Sequence, residues 1–309
     1  MHTNDLATHE VQIEFREVFQ ALLVGKKLIL GVTSIFATAS LLLALLLPNQ
    51  YTSVAVLAPA NDSSGSLPRA FSQLTGIASL AGVKLGSGVL TEVQIAEEVM
   101  RSWSFIDSFI NDNNLAVDIY AGVGWDKENN KLEIDSELYD EVNNKWLIET
   151  DSGTREPTSW ELFKRFEKIL SIASSDEGLL SITVLSYSPF LAKKWVDLFV
   201  QAINKHMQLR KLSMINSNIA YLEAEIEKSL ISGMHQVFYT IIEEQIKSKM
   251  ISEATPEHTF ILISPSMVPE VESEPKRLLI CVLGTFFGVI LSIFICLLLF
   301  YKKSSRSAS

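Results

Sequence analysis

Two apolar stretches free of Asp, Glu, Lys and Arg, Leu28–Leu47 and Leu278–Tyr301, limit what this chain can fold into more than any other feature; they hold 20 and 24 residues. A helix rises about 1.5 Å per residue and the hydrocarbon core of a bilayer is about 30 Å thick, so each run is long enough to cross one. A chain of 309 residues, 48% hydrophobic and 20% charged, would otherwise read as about two soluble domains. With the two runs taken out, the expectation is a membrane protein with one exported segment, Pro48–Arg277, of 230 residues.

The first run resembles a secretion signal in following Lys26 and Lys27. Its position and length argue otherwise. The residues before it include Asp5, Glu10, Glu14 and Glu17, and it ends in Leu-Leu-Leu-Pro-Asn-Gln without a small-x-small cleavage site. It also exceeds the roughly 7–15 residues of a signal's apolar region. It is read as an uncleaved anchor. Arg16, Lys26 and Lys27 precede the first span, and Lys302, Lys303 and Arg306 follow the second with no acid beside them. Basic residues in short flanks remain cytoplasmic, so residues 1–27 and 302–309 are both expected on that side, against the weaker pull of Lys276 and Arg277. An even number of spans requires the same.

The net charge of −10 divides into −1 for residues 1–27, +3 for the tail and −12 for the segment between the spans. Such acidity disfavours nucleic acid and anionic lipid as partners of that segment, because both need basic patches. Both cysteines, Cys281 and Cys296, lie in the second span, which leaves no disulfide framework and no thiolate zinc site outside it.

Within the exported segment, Tyr51–Ala58 is β-branched and short and reads as a strand, as do Gly178–Tyr187 and Thr259–Ser264. The three are expected in one sheet. Asn61–Gly88, rich in Ser and Gly with Leu67, Leu74, Leu80 and Leu85, reads as a loop with short helices. Gly82, Gly86 and Gly88 lack a following Gly-Lys-Ser/Thr and make no phosphate loop. Thr91 caps a helix whose apolar positions run from Val93 to Ile110 and which ends over Asn111–Asn114. Pro157 opens another, with Trp160, Phe163, Phe166, Ile169 and Leu170 as its stripe. Residues 115–155 are polar with scattered aromatics, and no element is assigned there.

From Pro189 to Ile251 no further proline occurs and Gly233 is the only glycine. Apolar or amphipathic residues can be chained from 195 to 241 at a mean step of about 3.5, the period of a coiled-coil seam. One helix over 189–251 is expected, about 95 Å long if continuous. A helix of that length cannot bury its stripe in one small domain, so packing against neighbouring copies is inferred; the alternative is a helical hairpin broken near Ser232-Gly233. The fold class is therefore an α+β membrane protein. Transmembrane helices at 28–47 and 278–301 flank an α/β base (48–188 and 252–264) carrying a very long protruding α-helix (189–251), and residues 265–277 return the chain to the membrane.

That return, Ser264-Pro-Ser-Met-Val-Pro-Glu-Val-Glu-Ser-Glu-Pro-Lys-Arg-Leu-Leu-Ile, holds Pro265, Pro269 and Pro275 and reads as a stiff, extended strap. Together with the terminal spans, the strand after the first span, Ser188-Pro-Phe-Leu-Ala-Lys-Lys-Trp and Tyr239–Met250, it resembles the Wzz-type polysaccharide chain-length determinants of Gram-negative inner membranes. The resemblance covers nearly the whole chain and is weakest over 115–155. It implies a periplasmic α/β base, ring-like homo-oligomers, and partnership with an O-antigen polymerase acting on an undecaprenyl-diphosphate-linked polysaccharide. The implied function is setting modal chain length, most often for lipopolysaccharide O-antigen, with enterobacterial common antigen or capsule as alternatives. Gly284-Thr-Phe-Phe-Gly288 in the second span is a small-xxx-small pattern that permits close helix approach, and the resemblance implies packing against the first span or against the polymerase.

No catalytic, cofactor or metal site is expected. His2, His9, His206, His235 and His258 are too scattered for a ligand set, and no His-Glu-x-x-His, Gly-x-Ser-x-Gly or Walker lysine occurs. The pairs Glu97-Glu98, Asp176-Glu177 and Glu243-Glu244 point their carboxylates in different directions on a helix and read as solvated faces or salt bridges. The eight residues after Tyr301 are too few for a kinase such as some capsule-directed relatives carry. The rival reading, a two-span sensor with a ligand-binding periplasmic domain, needs an output module that neither cytoplasmic end is expected to supply. A membrane-anchored polysaccharide hydrolase or ligase lacks its catalytic constellation.

Overall fold

The computed structural model describes residues 25–60, 92–150, 153–175, 177–228, 232–255 and 259–307. Two compact units emerge, Met1–Pro48 with Ser273–Ser309, and Asn49–Glu272. The first unit holds helix α1 (Lys26–Leu46) and helix α8 (Arg277–Ser307). Among the described residues these are the two helices long and apolar enough to cross a membrane, the second over Arg277–Leu299. Only Ser40 and Ala44 of α1 are buried, while Leu30, Ile35, Leu46 and Leu278 are more than two-thirds exposed. A core helix of a soluble protein would hide such residues; these are outfitted for lipid.

The second unit is built on an antiparallel sheet in the order β10-β1-β9-β8, with β1 Tyr51–Pro59, β8 Leu170–Ser174, β9 Leu180–Ser186 and β10 Phe260–Ser264. The three expected strands share one sheet. β1 pairs β9 from Tyr51↔Ser186 to Leu57↔Leu180, and Ala55, Leu57, Leu180, Ile182 and Val184 point alternately into the core. Strand β8 was not expected: Ile169 and Leu170, taken as the end of a helical stripe, divide between helix α5 (Ser159–Ile169) and a strand that follows without a loop.

The helix expected from Thr91 to Ile110 is two helices, α2 (Glu92–Arg101) and α3 (Trp103–Asp112). Ser102 breaks it by taking an extended backbone and accepting the Phe105 N–H at 3.3 Å as N-cap. Core aromatics converge on Phe199, whose ring lies 5.4 Å from Phe105, 5.1 Å from Phe109 and 5.9 Å from Phe166.

Residues 115–155 hold helix α4 (Ala116–Tyr120) and three small antiparallel hairpins. These are β2 (Gly122–Asp126) with β3 (Lys131–Ile134), β4 (Tyr139–Asp140) with β5 (Lys145–Trp146), and β6 (Ile148–Thr150) with β7 (Gly153–Arg155). The first two hairpins repeat one turn. Asp126 Oδ1 accepts from the backbone N–H groups of Glu128 and Asn129, and Asp140 Oδ1 from those of Val142 and Asn143. Asn130 and Asn144 then take φ of 50° and 49°, the left-handed region that Asn tolerates. The ring before each Asp closes the turn: Trp125 Nε1 donates to Asn130 Oδ1 at 3.1 Å and Tyr139 OH to Asn144 Oδ1 at 3.3 Å.

The long helix expected over 189–251 is instead α6 (Pro189–Lys228), 40 residues, and α7 (Ser232–Ala254), 23 residues, packed on one another. Gln208 Nε2 donates to the carbonyls of Ser252 (2.6 Å) and Thr255 (3.4 Å), which places the middle of α6 beside the end of α7 and makes the pair an antiparallel hairpin. The physical reason is that an apolar stripe without a partner in its own domain finds one by folding back. Burial along α6 reaches Ile215 and goes no further.

Candidate functional site

The residues singled out in the second span sit where α1 and α8 meet. Ser40 faces Gly284, Phe36 and Thr33 face Gly288, and Thr33 Oγ1 lies 3.5 Å from Ser292 Oγ. Position numbers fall along one helix as they rise along the other, so the helices pack antiparallel. A Cβ built on Gly284 overlaps the Ser40 side chain, and one on Gly288 comes within 2.6 Å of Phe36 Cβ. Both glycines are therefore required by close approach, whereas Gly31 on α1 has nothing within 4 Å. The Phe36 and Phe287 rings flank the contact with centroids 5.9 Å apart. The polar groups in this apolar setting are satisfied locally: Ser40 Oγ donates to Ala37 O at 3.0 Å and Ser292 Oγ to Val289 O at 2.8 Å. Of the two partners expected for the small-xxx-small pattern, the first span is the one it faces within this chain.

The strap prolines do not form one site. Pro265 and Pro269 belong to the unit built on the sheet and Pro275 to the helical unit. The first stretch of strap is held by two buried serines. Ser53 Oγ on β1 donates to Met267 O at 2.9 Å, and Ser266 Oγ donates to Asp197 Oδ1, the carboxylate that also pairs with Lys193 on α6. Pro275 ends the extended backbone, and its carbonyl accepts the Arg277 N–H at 2.8 Å as α8 begins. The sequence reading gave the prolines weight and missed Ser53 and Ser266; only Ser266 stands in the proline-rich stretch, and Ser53 lies on β1.

Among the described residues no group of three or more His, Cys, Asp and Glu side chains is placed to hold a metal. His206 packs edge-on against the Phe105 ring at 5.3 Å, and burial, with Arg210 nearby, holds its pKa below the ordinary value. Glu97 pairs with Arg101 and Glu243 with Lys247 along their own helices. Asp176, His2, His9, His258 and the loop at 61–88 lie outside the described residues.

The fold and the paired apolar helices thus define a two-span α+β protein with a helical hairpin. Residues 11–113 match the family described as "Wzz: Chain length determinant protein". The resemblance read from the sequence is shown over that stretch, which takes in the first span, β1, α2 and α3. No curated protein matches the sequence. Solved structures similar to the chain include a full-length bacterial polysaccharide co-polymerase, at 11% identity and a TM-score of 0.38, covering 95% of this chain and 99% of that one. A fragment of the polysaccharide co-polymerase WzzB from Salmonella Typhimurium is similar at 13% identity and a TM-score of 0.31, covering 73% of this chain and 100% of that one.

Proposed function

We propose that this protein is a non-enzymatic regulator of the modal length of a lipid-linked surface polysaccharide, with lipopolysaccharide O-antigen as the leading polymer. The family match over residues 11–113 carries the reading. In this account both termini are cytoplasmic, the unit Asn49–Glu272 is periplasmic, and α1 and α8 anchor it in the bacterial inner membrane. The work is done by a homo-oligomer beside a polymerase that lengthens the undecaprenyl-diphosphate-linked chain. Support for self-association comes from the hairpin, where Leu209, Met214, Tyr221, Val237, Tyr239 and Met250 are more than half exposed. Exposed apolar side chains gathered on one pair of helices are a common mark of an interaction surface. The Gly284/Gly288 contact sets the spacing of the two spans.

Deleting the gene and resolving lipopolysaccharide on a gel tests the proposal. Loss of a preferred length while polymer is still made supports a length regulator. Abolished polymer points to an enzyme, and unchanged bands with altered transcription to a sensor.

A further inference from the structure

We infer that the cavity between the α5 terminus and the sheet end that includes Gln50 is a binding site for a phosphate or diphosphate ester. Its volume is about 420 Å³, and Arg165, Lys168, Asp118, Trp195, Gln50 and Tyr187 are among the side chains that line it. Arg165 and Lys168 stand three positions apart on α5 and so share a face. Among the described residues neither forms an ion pair, in a segment whose net charge is −12. Two uncompensated cations at one cavity are what a dianion requires. The Arg165 guanidinium is already placed, 4.8 Å over the Tyr120 ring, so little side-chain freedom is lost on binding.

A second observation is independent of the charges. Trp195 is 2% exposed, lines the cavity, and its indole N–H has no acceptor. A buried donor left without an acceptor is disfavoured, and an acceptor entering through the adjoining cavity wall would offset this. Asp118 is the one carboxyl among the residues that line the wall. Burial raises its pKa, against the lowering influence of Lys194, so the neutral form is favoured relative to an ordinary Asp. The inference does not rest on the chain-length reading and can fail or hold without it.

The test is calorimetric titration of the full-length protein in detergent with inorganic pyrophosphate and with farnesyl diphosphate. Binding is expected, and Arg165→Gln/Lys168→Gln together should weaken it at least tenfold while the melting temperature is unchanged. Lys164→Gln, whose lysine pairs with Glu167 on the same helix, should leave binding as it was. The exposed single variant Lys168→Gln keeps the test usable if the double variant unfolds. No binding to the unmodified protein, or equal binding by the double variant, overturns the site. Repeating the titration in nanodiscs identifies the natural source. Phosphatidylglycerol that competes with pyrophosphate, where phosphatidylcholine does not, marks a lipid headgroup; no competition from either marks a diphosphate linked to another group.

Discussion

Gly288 is the residue on which the helix pair turns most directly. Its replacement by Leu would place a side chain into Phe36, whose Cβ is already 2.6 Å from a built Cβ. Overpacking of this kind costs about 1–3 kcal/mol, too little to abolish membrane insertion of an apolar helix but enough to splay the pair. Gly288→Leu is expected to shift product length while the protein still accumulates, and Gly31→Leu, with open space around it, to leave the ladder of bands unchanged. Glu161 offers a test in solution. It closes a capping box with Thr158 and pairs with Arg155 through both carboxylate oxygens at 2.7 Å; mainly through that pairing its pKa falls to about 2. A depressed carboxylate contributes stability that is full above its unfolded pKa and is lost as pH falls toward the folded one. The melting-temperature gap between the parent and Glu161→Gln should therefore be constant at neutral pH and close between about pH 4.5 and pH 2. A gap that persists at pH 2 would show that the residue acts through packing alone.

At the scale of elements, Asn204 is the joint between the hairpin and the sheet. Its Oδ1 accepts the backbone N–H groups of Thr259 (3.2 Å) and Phe260 (2.9 Å), and its Nδ2 donates to Phe260 O at 3.0 Å, with Asn204 buried. Asn204→Leu would leave three buried backbone groups unpaired, and a loss of about 2–4 kcal/mol in unfolding free energy is expected by denaturant titration. A loss below about 0.5 kcal/mol, the scatter of surface changes, would deny the joint its role. How elements declare themselves in the sequence follows from the forces that hold them. Strands β1 and β9 were legible because each alternates between core and surface. The division of 189–251 was legible only as the alternative break near Ser232-Gly233, because both arms of an antiparallel hairpin keep the same 3.5-residue step and a reversal leaves the count intact. Ser102 and Thr158 cap helices that the sequence reading merged, in the first case, and began two residues early at Pro157, in the second. The paired turns Asp126-Lys-Glu-Asn-Asn130 and Asp140-Glu-Val-Asn-Asn144 carried a readable signal in their shared Asp-x-x-Asn-Asn. Their strands carried less, since β4 and β5 have two residues each, too few to show alternation.

For the whole molecule, the charge and the two apolar helices set the frame, and the family match over residues 11–113 carries the proposed function. The site was half legible. Gly284 and Gly288 stood out by spacing, but Ser40, Phe36 and Ser292, which receive them, are ordinary residues of an apolar run until the helices pair. Self-association belongs to this scale as well. Cross-linking in native membranes is expected to give a ladder of homo-oligomers, and Met214→Glu/Tyr221→Glu on the exposed face of α6 to collapse it toward monomer. A ladder that is monomer alone in the parent protein would remove the oligomer from the account. The central claim is control of polymer length, and the lipopolysaccharide gel profile with and without the protein measures it most directly. The account predicts a clustered modal length in its presence and a featureless, shorter-weighted distribution of the same polymer in its absence; an identical profile in both strains would contradict it.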